Sequence, residues 1–351
     1  MESWTELGLF AAKAIILVAA ALAVIAGVAR AASRGNAEAR DRGKIKVRKL
    51  NDVLRKQALA LRGAVLPRHA ARAEQKLERK RAKAERKAKG EALTARLSRP
   101  RTFVVDFDGN LRASRVSALR EEITAIVAVA RPGEDEVVVR LKSPGGMVHA
   151  YGLAAAQLQR VRERGVKLTA SVDLVAASGG YMMACVADQI LAAPFAVVGS
   201  IGVVAGIPNL SRLLKKHDID YELLTAGQLK RTLTVLGPNT AGGRQRMQEE
   251  LDDTHALFKS FVARHRPGLD LDTVATGEFW YGSRALELGL VDRILTSDDY
   301  LVERAAEGDV FAVEHQVKRG LLNRLGRSAE GAMARGLEQA LERLAQRRLP
   351  S

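Results

Sequence analysis

The sequence predicts an α/β fold, a mainly parallel sheet with helical crossovers, behind one N-terminal transmembrane helix. Three observations predict it. From residue 101 onward, strand-like apolar runs alternate with segments of helical spacing, the order that a buried sheet with crossover helices requires. Near the N-terminus, "LGLFAAKAIILVAAALAVIAGVA" at 7–29 holds 23 residues with Lys13 as its one charge, long enough to cross a bilayer. The net charge of +16 is confined to one segment: between Arg30 and Pro100 there are 23 Lys/Arg against 7 Asp/Glu, and the rest of the chain carries 33 of each sign.

Residues 1–6 form a short tip. The run at 7–29 reads as an uncleaved anchor: it is long for a signal peptide, and the A-R-A at 29–31 leads into a dense basic block rather than an ordinary mature start. Lys13 lies near enough to the amino end to snorkel. Glu2 and Glu6 precede the run, whereas Arg30, Arg34, Arg40, Arg42, Lys44 and Lys46 follow it. That asymmetry puts the bulk of the chain in the cytoplasm.

Residues 30–100, most intensely "ARAEQKLERKRAKAERKAKGEA", read as a helical or disordered basic tether. Such a stretch beside an anchor is attracted to anionic lipid head groups, although a merely solvated helix face has the same composition. With no interleaved aromatics to stack on bases, nucleic acid is not an expected partner.

The globular core is expected over 101–300. "RTFVVDFDG" (101–109) is a strand ending in a turn, and "SRVSALREEITAIVAVA" (114–130) has helical spacing after a serine start signal. "DEVVVRLKSPGG" (135–146) is a strand running into a glycine loop, followed by a helix through "YGLAAAQLQRVRERG". "VKLTASVD" (166–173) is a strand, "VAASGGYMMACVAD" (175–188) a helix, and "QILAAPFAVVGSIGVV" (189–204) returns to strand. A long helix covers 240–266, and 301–351 is an amphipathic tail. The single cysteine, Cys185, excludes an intrachain disulfide and fits a buried small residue.

Four places carry possible chemistry. Ser178 opens a helix after a small-residue turn, a position for a nucleophile near a positive dipole and equally for an ordinary N-cap. A nucleophilic serine needs a base, and none of His69, His149, His217, His255, His265 and His315 stands in a motif with an orienting carboxylate. Lys230 in "TAGQLKRTLT" is the other base available. It accepts a proton only when neutral, which requires burial or a nearby cation; a solvated surface lysine is the competing role. Gly145 and Gly146 let backbone N–H groups approach a substrate closely, as in an oxyanion hole, or simply make a tight loop. "PFAVVGSIGVV", with Ser200 between Gly199 and Gly202, reads by itself as a kinked core strand.

Together, "SPGGMVHAYGLAAAQLQR", "VAASGGYMMACVAD", "VGSIGVV" and "AGQLKRTLT" resemble the signal peptide peptidase A family of membrane serine proteases, over the anchor, the basic segment and the core. The resemblance implies Ser178 as nucleophile, Lys230 as general base, Ser200 as the residue that orients the lysine, and Gly145 and Gly146 in the oxyanion hole. It implies a ClpP/crotonase-like spiral of β-β-α units, homo-oligomeric assembly, no cofactor and no metal. The expected enzyme sits in the bacterial inner membrane and cleaves extended apolar or small-residue segments of peptide or protein substrates. Only one copy of the motif set is present, so both dyad residues come from one domain type. Two other readings stand beside it: an inactive membrane scaffold, and a crotonase-type acyl-CoA enzyme, which would need acidic residues near the Gly-Gly loop.

Overall fold

The computed structural model describes residues 43–87, 90, 94, 98–227 and 232–317. The expected anchor at 7–29, Lys230, and the part of the expected tail beyond residue 317 lie outside the described residues. Among the described residues, no helix is long and apolar enough to cross a membrane. The unit formed by Ile45–Glu314 contains the core.

Ten strands are described: β1 (Lys44–Lys49), β2 (Arg101–Asp108), β3 (Glu136–Lys142), β4 (Lys167–Val172), β5 (Val175–Ala177), β6 (Gln189–Ala192), β7 (Val197–Gly199), β8 (Phe279–Tyr281), β9 (Arg293–Ile294) and β10 (Asp309–Gln316). Seven form one sheet in the order β1-β10-β2-β3-β4-β6-β9; β5, β7 and β8 form a second, smaller one. From β10 to β9 every neighbouring pair in the large sheet is parallel. The mixed α/β class is therefore as the sequence predicts.

Helices on both sides explain why the central strands are apolar without alternation. Phe103, Val105, Phe107, Val137, Val139 and Leu141 share one core with Leu119, Ile123 and Ile126 of the helix Val116–Val127. Tyr151, Ala154, Leu158 and Val161 of the helix Val148–Glu163 complete that layer. On the other face, Val104, Val138, Leu191 and Val310 pack with Tyr300 and Leu301 of the helix Ser297–Glu307. Truncating a fully buried residue such as Leu158 to alanine opens a cavity and costs about 2–5 kcal/mol.

The strand edges are held by charge. Asp135, whose side chain is fully buried, accepts hydrogen bonds from the backbone N–H groups and guanidiniums of Arg101 and Arg131. Burial pushes its pKa up, but these bonds outweigh it and hold the carboxyl at about 2.

Described elements also lie outside the expected core span of 101–300, and two segments inside it are subdivided. The large sheet takes in strands outside 101–300: β10 lies parallel on β2 with Asp309 opposite Arg101, and β1 flanks β10. Residues 301–316 are thus helix and strand rather than tail, because "DVFAVEHQ" supplies the apolar side chains Val310 and Val313 to the core. Within the segment expected as a helical or disordered tether, residues 44–87 form β1 and two helices, Leu50–Val65 and Arg68–Lys87. Within the core, the segment 189–204 is two strands in different sheets, separated by a turn in which Ala196 N–H donates to Ala193 O at 3.0 Å. Likewise 175–188 is a short strand, β5, before a helix limited to Gly179–Ala184.

Candidate active site

Strands β5 and β7 run parallel with Ala177 opposite Gly199. The next residue of each is a serine, so the register sets Ser178 beside Ser200. Ser178 N–H donates to Gly199 O at 2.7 Å and Ser200 N–H to Glu278 O at 2.7 Å, which fixes both turns to the small sheet.

Ser178 stands at the N-cap position of the helix Gly179–Ala184 but does not act as a cap. Its φ of 52° and ψ of −119° lie outside the extended region a capping residue uses, and its hydroxyl makes no capping hydrogen bond. Ser200 also has positive φ, 51°. A non-glycine residue held in this way costs about 1–3 kcal/mol and persists only where its surroundings enforce it. Strain at two neighbouring serines marks this corner of the molecule, and a half-buried serine on a sharp strand-to-helix turn resembles the geometry of a nucleophile elbow.

The glycine loop closes against this elbow. Gly145 has φ +93°, and a Cβ there would lie 2.7 Å from the Ser178 Cβ and 2.8 Å from Ala177 O; only glycine lets the backbone come so near. Gly145 N–H is already directed to Ser143 Oγ at 3.2 Å. The N–H groups of Gly146 and Gly179 have no hydrogen-bond acceptor among the described residues, and both residues border the cleft that holds Ser178.

A buried polar chain holds the loop in place. Tyr151 Oη donates to Asn110 O at 2.9 Å, so at 2.5 Å it accepts from Ser143 Oγ, which in turn accepts from Gly145 N–H. Ser143 is also tied through its backbone to Val175 O and Ala177 N–H, at 2.8 and 3.0 Å. It therefore couples the glycine loop to the serine strand. Burial raises the Tyr151 pKa, which keeps the phenol a donor. Sequence reasoning passed over Ser143, Tyr151 and Gly179. The available signal was a tyrosine buried in the first turn of a helix after the glycine loop, because a buried phenol needs a partner.

The cleft walls beside Ser178 come from Val148, Met182, Val203 and Phe258, with Thr254 as the polar side chain and Gly202 at the rim. No acidic residue and no histidine lines it among the described residues. His255 Nε2 lies 3.1 Å from Ile201 O, to which it donates, and so braces the turn after Ser200 from outside. Among the described residues, no group of three or more His, Cys, Asp or Glu side chains could hold a metal ion. The structure thus brings Ser178, Ser200, Gly145 and Gly146 together; Lys230 is outside the described residues.

The sequence matches the family described as Peptidase family S49 N-terminal over residues 2–158 and Peptidase family S49 over residues 160–311. It is 59% identical over 228 residues to the probable protease SohB of Haemophilus influenzae, an alignment covering 65% of this chain and 64% of that one. It is 52% identical over 227 residues to the probable protease SohB of Buchnera aphidicola from Acyrthosiphon pisum, covering 65% and 67%. The chain thus spans a little under two thirds of the length of the Haemophilus relative. Among solved structures it is similar to the 1510-N membrane-bound stomatin-specific protease, at a TM-score of 0.41 and 13% identity, over 59% of this chain and 84% of that one.

Proposed function

Because this chain belongs to peptidase family S49, we propose that it is a membrane-anchored serine endopeptidase working through a Ser-Lys dyad. Ser178 Oγ attacks the peptide carbonyl while Lys230, as the neutral amine, takes the hydroxyl proton and passes it to the leaving nitrogen. Water then hydrolyses the acyl-enzyme by the same base. Ser200 orients the lysine amine. The oxyanion is held by N–H groups of the glycine loop and the elbow, with Gly146 and Gly179 as donors and Gly145 making the close approach possible.

One observation carries this reading: Ser178 sits in a strained backbone conformation with its hydroxyl unused as a cap, in a cleft bordered by Gly146 and Gly179, whose N–H groups have no acceptor among the described residues. A helix cap would need neither feature. Among the described residues no acidic side chain lines the cleft, which speaks against the acyl-CoA chemistry of a crotonase.

The apolar and narrow cleft supports small or apolar side chains in extended peptides, such as remnants of signal peptides or membrane proteins. The fold supports the spiral of β-β-α units, since successive passes give one strand to each sheet: β4 then β5 and a helix, then β6 followed by β7. The span 7–29 anchors the enzyme in the bacterial inner membrane with the core on the cytoplasmic side, following the charge asymmetry. Homo-oligomerisation is supported by exposed apolar side chains after Ser200, among them Val204, Leu213 and Leu224.

A serine-directed fluorophosphonate probe tests the reading. Labelling of the full chain that disappears in Ser178→Ala supports it, as does capture of intact peptides by that variant. Equal labelling of the two proteins overturns it.

A further inference from the structure

We propose that the helix Arg68–Lys87 is a docking face for the surface of an anionic lipid bilayer. The proposal rests on the reading that residues 7–29 cross a membrane, and not on the catalytic assignment.

The two helices Leu50–Val65 and Arg68–Lys87 form a hairpin joined at Leu66–Pro67, where Leu66 N–H donates to Arg62 O and Ala71 N–H to Pro67 O. The hairpin is fastened to the core at its base. Asn51 donates to Ala305 O and Gly308 O at 3.0 and 2.9 Å and accepts from Val310 N–H at 2.7 Å. Lys49 pairs with Asp309 at 2.8 Å, and Leu50 packs against the Tyr300 and Leu301 cluster. What the second helix presents is therefore held in a fixed relation to the sheet.

Charge on that helix is sorted by face. Glu74 and Glu78 turn toward the first helix, pairing with Arg62 at 2.7 Å and Arg55 at 3.8 Å, and Ala71 is buried beside them. Arg68, Arg72, Lys76, Arg79, Lys83 and Lys87 recur at intervals of three and four residues and are all exposed. At 3.6 residues per turn they occupy a sector of about 100° on a rod about 30 Å long. None of the six has an ion-pair partner among the described residues. Among the described acids of this helix, Glu74 and Glu78 are committed to the side facing the first helix.

A straight row of unpaired cations fits a flat anionic surface. A second copy would present the same row and repel it. A nucleic acid would be expected to meet stacking side chains, and residues 43–100 include no Phe, Trp or Tyr. The expected span ends at residue 29, so 14 residues separate it from residue 44, a reach of at most about 50 Å. The stripe contains no large apolar side chain to insert, so contact is electrostatic, reversible and screened by salt.

The test uses the full chain with a fluorophore on Ala73→Cys at the edge of the stripe, Cys185 being buried and unreactive. The chain is reconstituted in nanodiscs of phosphatidylcholine alone or mixed with phosphatidylglycerol, each carrying an acceptor dye on a lipid head group. Energy transfer should be higher in the anionic discs and fall to the neutral-lipid level in high salt. Combined Arg72→Glu, Lys76→Glu, Arg79→Glu and Lys83→Glu should abolish the difference, weakening surface contact by about 100-fold or more. The milder set with glutamine at those positions should give an intermediate loss, and fluorophosphonate labelling of Ser178 should persist in both. Equal transfer in the two lipids, or a difference that survives charge reversal, overturns the proposal. So does displacement of the helix from anionic discs by single-stranded RNA at physiological salt, which would assign the stripe to nucleic acid. If the chain fails to enter neutral discs, the anchor reading fails instead, and the same lipid comparison is made by adding the chain to vesicles.

Discussion

Between Lys167 and Ser200 the chain is mostly buried, whereas between Val204 and Leu224 it is mostly exposed. In the first stretch Leu168, Ala170, Tyr181, Met183 and Ile190 are inaccessible to solvent; in the second, Val204 and Leu224 are 91% and 92% exposed. The first builds the serine elbow out of strand register and core packing. The second leads toward the lysine motif and leaves its apolar side chains without cover among the described residues. The proposed nucleophile thus rests on the packed part of the fold, while the proposed subunit contact rests on the exposed arm. Each prediction below breaks or sharpens that contrast.

The largest effect falls on the dyad. Ser178→Ala and Lys230→Ala should each lower kcat by about 10⁴-fold or more, and the double variant should be no worse, since residues acting as one unit do not add. Lys230→Arg should not restore activity, because a guanidinium stays protonated. Peptide cleavage by the wild type should rise with pH as the base loses its proton and then level off. Near-normal turnover by Lys230→Ala would end the dyad reading.

Next comes the close approach on the buried side. Gly145→Ala places a methyl against Ser178 at a positive φ, and peptide turnover should fall by about 10²–10³-fold, the scale of a lost oxyanion donor. Ser200→Ala, which on the proposed reading alters only the orientation of the base, should lose less, about 10-fold, in the same assay. A reversed order of these two would move the emphasis from the loop to the arm.

Asp135 separates fold from chemistry. Asp135→Ala removes the buried carboxylate that joins Arg101 to Arg131 and should cost about 3 kcal/mol by denaturant unfolding. Its folded pKa of about 2 lies below the ordinary 3.8. The stability it gives is therefore full above the ordinary value and lost as pH falls toward 2. The variant should lack that part of the acid transition, and a wild-type-like acid profile would refute the assignment.

The smallest effect on stability belongs to the arm. Leu224→Ser should change core unfolding by no more than about 0.5 kcal/mol while lowering the assembled mass seen by light scattering in detergent. An unchanged mass would mean that these side chains are not an interface.

Much of this was legible beforehand, and the reasons differ by region. Parallel strands buried on both faces write themselves as apolar runs, so β2, β3 and β4 stood out, as did the helices between them. The glycine and serine motifs carried the family. What the sequence hid was contact at a distance. Nothing local in "DVFAVEHQ" says that it pairs with a strand 208 positions earlier, as Asp309 does with Arg101. The same applies to Asn51, which reaches Gly308 across the sequence. The split of 189–204 into two sheets depends on a turn at Ala193–Ala196 that apolar composition conceals. The Ser143–Tyr151–Asn110 chain joins residues that are unremarkable one by one.

The backbone at Ser178 has a consequence for how such an enzyme ages in evolution. Its φ of 52° and ψ of −119° suit glycine far better than serine. A single change to glycine would relieve strain of about 1–3 kcal/mol, offset in part by glycine's extra freedom when unfolded. Losing the proposed nucleophile would therefore move the protein downhill in free energy. On the proposed reading, silent descendants of this chain would fold at least as well as working ones, and selection for catalysis would be what keeps the hydroxyl in place.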